Sequence, residues 1–340
     1  MGPLTGEIAV AARGPVAALS LGAQAGLQAG GESVRVDLDG RLDGVGRALA
    51  VERLEAVARN ETLRLLAPAR LDLSDGVAVD RVRLGLRQGV IEVAGRLAPE
   101  LALDAVAADV PADLLRLIVP VPGLSGSIGG QARLTGAPGA LGGQVRVTGE
   151  GLRLTEGPGR ALPPASLQVT VRLGPAGAEV DARAEAGKGG HVALRGRVGG
   201  GSTTGDSALD LRADGRLDLA ALDPLLSGAG RRARGKADLT ARIGGTLAAP
   251  RFDGDVRLVE GAWWDRSIGL VLTDVHGRLG LAGDSVRVER VEARAGPGSV
   301  ALDGTVRWLA PGIPLDLTVR ARDARPLQRD DVDLQVSGEV

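Results

Sequence analysis

The chain has 340 residues, 44% of them hydrophobic but only 1% aromatic, with 41 basic and 42 acidic side chains and no cysteine. Balanced, well-mixed charge with almost no stacking rings argues against a nucleic-acid surface, and the absence of thiols excludes a disulfide scaffold and thiolate metal sites. With Phe252, Trp263, Trp264 and Trp308 as its only large rings, the interior must be filled by Val, Leu and Ala. That favours a long sheet over a thick, sealed sandwich.

Strand-like runs begin at once, at residues 7–11, 16–21 and 33–38, the last closing on Asp39-Gly40. The stretch 47–59 fits both periods, with Val51, Leu54, Val57 and Ala58 at helical spacing and Leu49 and Val51 in alternation. Its surroundings favour strand. Further runs at 62–66, 70–73, 77–86 and 90–97 are each bounded by Pro or Gly. At 109–118 the pattern changes. DVPADLLRLI has a proline and an aspartate at its start and Leu114, Leu115 and Ile118 on one face, which predicts a short helix over 111–118, ended by Pro120 and Pro122. The opening residues have neither the basic nor the apolar part of a secretory signal. The oiliest run, 114–121, is interrupted by Arg116 and Pro120 and is too short to span a bilayer.

Repeats organise the rest. LALDAVAAD (101–109), LDLRADGRL (209–217) and LDLTVRARD (315–323) share one alternating pattern, and each is preceded by a Gly-bounded strand, GVIEVAGRL, GHVALRGRV or GSVALDGTV. A short helix follows the first copy at 111–118 and the second near 219–226, while the third has only begun it at Arg325. After the helix, Leu141-Gly-Gly-Gln-Val145 corresponds to Phe252-Asp-Gly-Asp-Val256, with a shorter turn in the earlier copy. The period of about 107 residues suits a unit of eight to ten strands rather than one solenoid coil of about 20–50 residues. Gly/Pro-rich loops at 156–164 and 199–207 do not interrupt the pattern. The expected organisation is one continuous β region over 1–340, with repeats at 1–110, 111–218 and 219–325 and the start of another at 326–340. The final VDLQVSGEV stops inside a strand-like pattern, as expected of a piece of a longer chain.

The clearest stretch is 235–308. Its apolar residues alternate with polar ones at Val256 and Leu258, Leu270 and Leu272, Val286 and Val288, and Val300 and Leu302, giving each strand one oily and one wet face. Val291 falls out of phase after Val288, which predicts a bulge. Trp263 and Trp264 are adjacent, so one faces the oily side and the other faces out.

Two segments, GGTLAAPRFDGDVRLVEG (244–261) and LTDVHGRLGLAGDSVRVERVEARAGPGSVALDGTV (272–306), resemble the TamB family, the inner-membrane component of the translocation and assembly module, within the AsmA-like group of envelope proteins. The resemblance is clearest over 205–325 and weaker over 95–200. It implies a mostly antiparallel, long curved β-sheet, a half-pipe or β-taco with an apolar lining. It also implies a periplasmic location, an inner-membrane anchor that these residues do not include, and transfer of phospholipid between inner and outer membranes. TamB-like members are further implicated in outer-membrane barrel assembly and protein secretion with a TamA-type partner.

The residues are compatible with that function. An oily sheet face with nothing packed on it must bind something. The eight alternating residues named above are the candidate lining for acyl chains, and Trp263 and Trp264 are candidates for headgroup or sheet-edge contact. An ordinary sandwich core is the rival reading of the same positions, though no second layer of suitable bulk is apparent. A catalytic constellation is absent. His191 and His276 lie in separate runs without a carboxylate pair at metal-binding spacing, no serine sits in a Gly-x-Ser-x-Gly elbow, and 228–236 lacks phosphate-loop order. A non-enzymatic lipid conduit without cofactor is expected. The alternatives are a scaffold that offers sheet edges to barrel substrates and a structural β-repeat protein such as an adhesin.

Overall fold

The computed structural model describes residues 5–29, 32–117, 123–137, 140–187, 189–199, 206–307, 314–327 and 334–340. The expected helix stop at Pro120 and Pro122, most of the loop at 199–207 and Trp308 lie outside them. Contacts divide the chain into two units. One is Met1–Val121 with Ser125–Glu150 and Thr170–Pro175, and the other is Pro122–Leu124 with Gly151–Val169 and Ala176–Val340.

The first unit contains β1 (Thr5–Arg13), β2 (Leu19–Ala29), β3 (Glu32–Asp43), β4 (Ala48–Ala58), β5 (Glu61–Leu65), β6 (Ala69–Asp72), β7 (Val77–Leu86), β8 (Gly89–Ala98), β9 (Leu101–Pro111) and most of β10 (Leu124–Ala137). Each strand pairs antiparallel with its sequence neighbour, except that β5 and β6 together form one interrupted partner to β4 and β7. The ambiguous stretch 47–59 is strand. Its Leu38↔Leu54 and Leu42↔Leu49 pairings put both leucines on one face through a register shift at Asp39/Gly40. Residues Val16–Ala18 form a 3-10 turn rather than a strand, closed by the Ala18 amide donating to the Pro15 carbonyl.

Two strands carry residues of both units, β11 (Ala140–Leu154) and β12 (Ala165–Gly174). The second unit holds β13 (Gly177–Ala186), β14 (Gly190–Gly199), β15 (Leu209–Asp218), β16 (Arg231–Gly245), β17 (Pro250–Asp265), β18 (Leu270–Ala282), β19 (Ser285–Ala295), β20 (Gly298–Arg307), β21 (Leu315–Ala324) and β22 (Val336–Glu339). They also pair antiparallel, neighbour to neighbour.

Both expected helices exist, but they are mostly 3-10. Ala112–Leu117 is one. The other runs Leu219–Leu222 and then α1 (Asp223–Leu226), with the Asp218 carboxylate accepting from the Ala220 amide as its cap. Short 3-10 segments suit a turn that must fold back within six or seven residues. The third copy has a different continuation. After β21, the Val271 amide donates to the Pro326 carbonyl, and Leu327 bridges to Leu270.

The repeat has a backbone cause. Gly95, Gly196 and Gly304 occupy the same place in the three Gly-bounded strands, at φ of 119°, 149° and 139°. They face Leu103, Leu211 and Leu317 in the same register. A Cβ at these positions would lie 2.0, 2.0 and 2.1 Å from the carbonyl oxygens of Ala102, Asp210 and Asp316. Only glycine holds that conformation and that approach.

Neither unit seals a core. No large described side chain is fully buried, and the buried apolar residues are mainly alanines. Among the described residues, no helix is long and apolar enough to cross a membrane.

Candidate functional site

In the second unit, the cross-strand register sorts the residues into two faces, because directly opposed residues share a side. One row runs Val192, Gly215, Leu239, Val256, Leu279, Val288, Gly304 and Leu317 across β14 to β21. The next runs Leu217, Ala237, Leu258, Gly277, Val291, Leu302 and Val319. On the other side of the first row, Leu194, Ala213, Ala241, Gly254, Leu281, Val286, Val306 and Leu315 form a third. These rows make one apolar face built from small aliphatic side chains and glycine.

All eight candidate lining residues lie on that face. Val256, Leu258, Val286, Val288 and Leu302 stand in the rows above. Val300 opposes Ala293, one step beyond Leu302 on the same side. Leu270 and Leu272 join through bulges. Glu260 in β17 and Asp274 in β18 adopt φ of 52° and 51°, each adding one residue where the register shifts. The side of the face is thereby kept, and Leu272 opposes Trp263, which opposes Ala233 in the uninterrupted alternation of β16. Val288 is the best shielded of the eight, at 7% exposure, and the other seven are half-buried.

The bulge at Val291 is present. Val288 pairs with Leu279, Arg290 with Arg278 and Val291 with Gly277, which leaves Glu289 as the extra residue, so the two valines face the same way despite their spacing of three. Sequence reading missed Leu239, Leu279, Leu281, Val306 and Leu317, although they follow the same alternation. Glycines at apolar positions, Gly235 in β16, Gly277 in β18 and Gly304 in β20, weaken the period around all of them but Leu317, whose strand has none.

The opposite face is ionic. Arg216 Nε lies 2.6 Å from Asp238, Arg197 3.2 Å from Glu179 and Arg195 3.3 Å from Asp181, each a directly opposed pair in the ladder. Such exposed pairs are screened by solvent and add little to stability. They keep this side wet and fix which side faces water. The first unit repeats the scheme, with Ile91 opposite Ala107, Val93 opposite Ala105 and Leu103 opposite Leu134 on one side and Arg133 2.7 Å from Asp104 on the other. His276 lies on the ionic face with Nδ1 2.8 Å from the Asp274 carbonyl and Nε2 3.5 Å from Glu292. Among the described residues, no group of three or more His, Asp or Glu is arranged to hold a metal ion.

The tryptophans divide as the alternation requires. Trp263 is on the apolar face. Trp264 is on the ionic face, opposite Arg232 and Val271. At the same strand ends Asp265 is 4% exposed. Its Oδ2 accepts from Arg231 Nε at 2.8 Å, and its Oδ1 accepts from the Ser267 amide at 3.0 Å. The Ser267 hydroxyl and Arg231 hold this carboxyl below the usual range.

Comparison with protein-family models, with curated proteins and with solved structures finds no match to the chain.

Proposed function

We propose that the second unit carries phospholipid acyl chains on its apolar face, as a non-enzymatic segment of a TamB-like envelope protein of the periplasm. The observation that carries this reading is the run of apolar rows across β14 to β21 without a sealed core beneath them. Left in water, that face is costly. Each acyl CH₂ that settles on it gains about 0.8 kcal/mol. Small aliphatic residues give contact area without directional bonds, which suits a chain that slides rather than docks. The resemblance of 244–261 and 272–306 to the TamB family supports the same reading, and with it the inner-membrane anchor and outer-membrane destination.

The test places a photo-crosslinking side chain at Val256 and, in a second variant, at the adjacent Arg257, which faces the other way. Each is expressed in a Gram-negative periplasm, irradiated, and analysed by mass spectrometry. Phospholipid is expected on the Val256 probe and not on the Arg257 probe. Equal capture at both, or capture at neither, removes the conduit. Capture of an outer-membrane barrel strand in place of lipid replaces it with a scaffold for barrel assembly.

A further inference from the structure

The ends of β16, β17 and β18 form an open cavity of about 420 Å³ whose lining includes Arg232, Arg234, Arg266, Trp264, Asp265 and Leu270, with Val271 beside them. Two of its three arginines are uncommitted. Arg234 is held by Asp223, its Nη1 2.8 and 2.7 Å from the two carboxylate oxygens. Asp265, the acid at the cavity wall, is taken by Arg231 and Ser267. Arg232 and Arg266 have no carboxylate partner among the described residues, and the turn carrying Arg266 is pinned by its amide donating to the Gly230 carbonyl at 3.0 Å. Trp264 stands between Arg232 and Val271 in the ladder, so cationic and apolar surfaces adjoin. Leu270 also belongs to the apolar face, where it follows Leu272 and Trp263. The row Arg231, Asp265 and Leu270 ends the apolar side at these strand ends, and the cavity's arginines and indole stand on the ionic side of the same ends.

We propose that this cavity binds the phosphodiester headgroup of a glycerophospholipid whose acyl chains lie on the adjoining apolar face. The assignment rests on the lipid reading of that face. Two guanidinium groups supply planar donors matched to phosphate oxygens, and the indole and Leu270 cover the glycerol and first methylenes. A free phosphate shares the charge but uses none of the apolar wall, so the two ligands are separable.

The experiment titrates the protein in a Trp263→Phe, Trp308→Phe background, where Trp264 is the only fluorophore of its kind. The probes are dihexanoyl phosphatidylglycerol below its micelle concentration, dihexanoylglycerol and inorganic phosphate. The phospholipid is expected to shift Trp264 emission and to bind about tenfold more weakly in an Arg232→Gln, Arg266→Gln variant, a change of about 1.4 kcal/mol. Arg287→Gln, an exposed arginine of β19 outside the cavity, should leave the affinity unchanged. Circular dichroism checks that each variant is folded. An unchanged affinity in the double variant overturns the proposal, as does an equal loss in Arg287→Gln. Equally tight binding of dihexanoylglycerol, or of inorganic phosphate alone, overturns it too. The two readings fail separately. Lipid captured at Val256 without dependence on Arg232 and Arg266 removes the headgroup site and leaves the conduit. Arginine-dependent binding with no capture at Val256 removes the conduit instead.

Discussion

At the scale of single residues, glycine and one buried acid carry the sharpest expectations. Gly196 combines a φ of 149° with a carbonyl oxygen 2.0 Å from where a Cβ would sit. Gly196→Ala is therefore expected to cost about 2 kcal/mol or more, from backbone strain of about 1–3 kcal/mol plus displacement of β15. Gly228→Ala, in the same unit and with nothing within 4 Å of the new methyl, should be close to neutral. Urea unfolding of both variants gives the comparison, and equal midpoints would refute the backbone explanation of the repeat. Asp265 gives a pH expectation. Its carboxyl is held below the usual range, so the folded state binds fewer protons than the unfolded chain. That contribution is present above the unfolded value of about 3.9 and is lost as pH falls through the lower folded value. Between about pH 5 and pH 3, the urea midpoint of Asp265→Asn should fall less steeply than that of the unmodified protein.

At the scale of elements, the bulges decide which residues share a face. In β19, deleting Glu289 leaves Val286, Val288 and Val291 in strict alternation on the apolar side. Deleting Arg287 instead turns Val288 outward and brings Glu289 onto that side. The first deletion should shift the melting temperature little. The second should cost about 2 kcal/mol or more, because a charge is forced against aliphatic neighbours. Comparable melting of the two variants would show that the register in β19 is not set by its apolar pattern. The Val291 bulge was legible in the sequence because it breaks a clear period. The Glu260 and Asp274 bulges were not, since neither residue is apolar and both sit where the pattern is already uneven. Leu270 and Leu272 were assigned from alternation within their own strand. Their membership of the same face as Val256 depends on two compensating insertions in different strands, which no local pattern contains. A Cβ on Gly143 would lie 2.0 Å from the Arg133 carbonyl oxygen, and one on the corresponding Gly254 2.3 Å from that of Thr240, so both copies need glycine there.

At the scale of the molecule, no large side chain is fully buried among the described residues, so hydrophobic burial comes mainly from neighbouring strands. A protein with an open apolar face should bind a hydrophobic dye in its native state. Anilinonaphthalene sulfonate fluorescence is expected in native buffer and should lose most of its intensity in a Leu239→Gln, Leu279→Gln variant that keeps its circular dichroism. A native protein that leaves the dye dark would argue for a covered face, and a variant that unfolds would argue for a closed core.

The sequence by itself determined the strand-by-strand antiparallel order, the repeat, the short helical turns after its first two copies, and the split between oily and ionic sides within each strand. These are local properties, set by side-chain alternation, turn residues and the conformations glycine allows. Tertiary structure alone decided which strands' oily sides combine, that Trp264 stands against Arg232, and that Arg266 and Leu270 meet at one cavity. The physical reason is that register accumulates across the ladder. One extra residue in one strand reverses every face beyond it, and only the paired backbone shows where that reversal is cancelled.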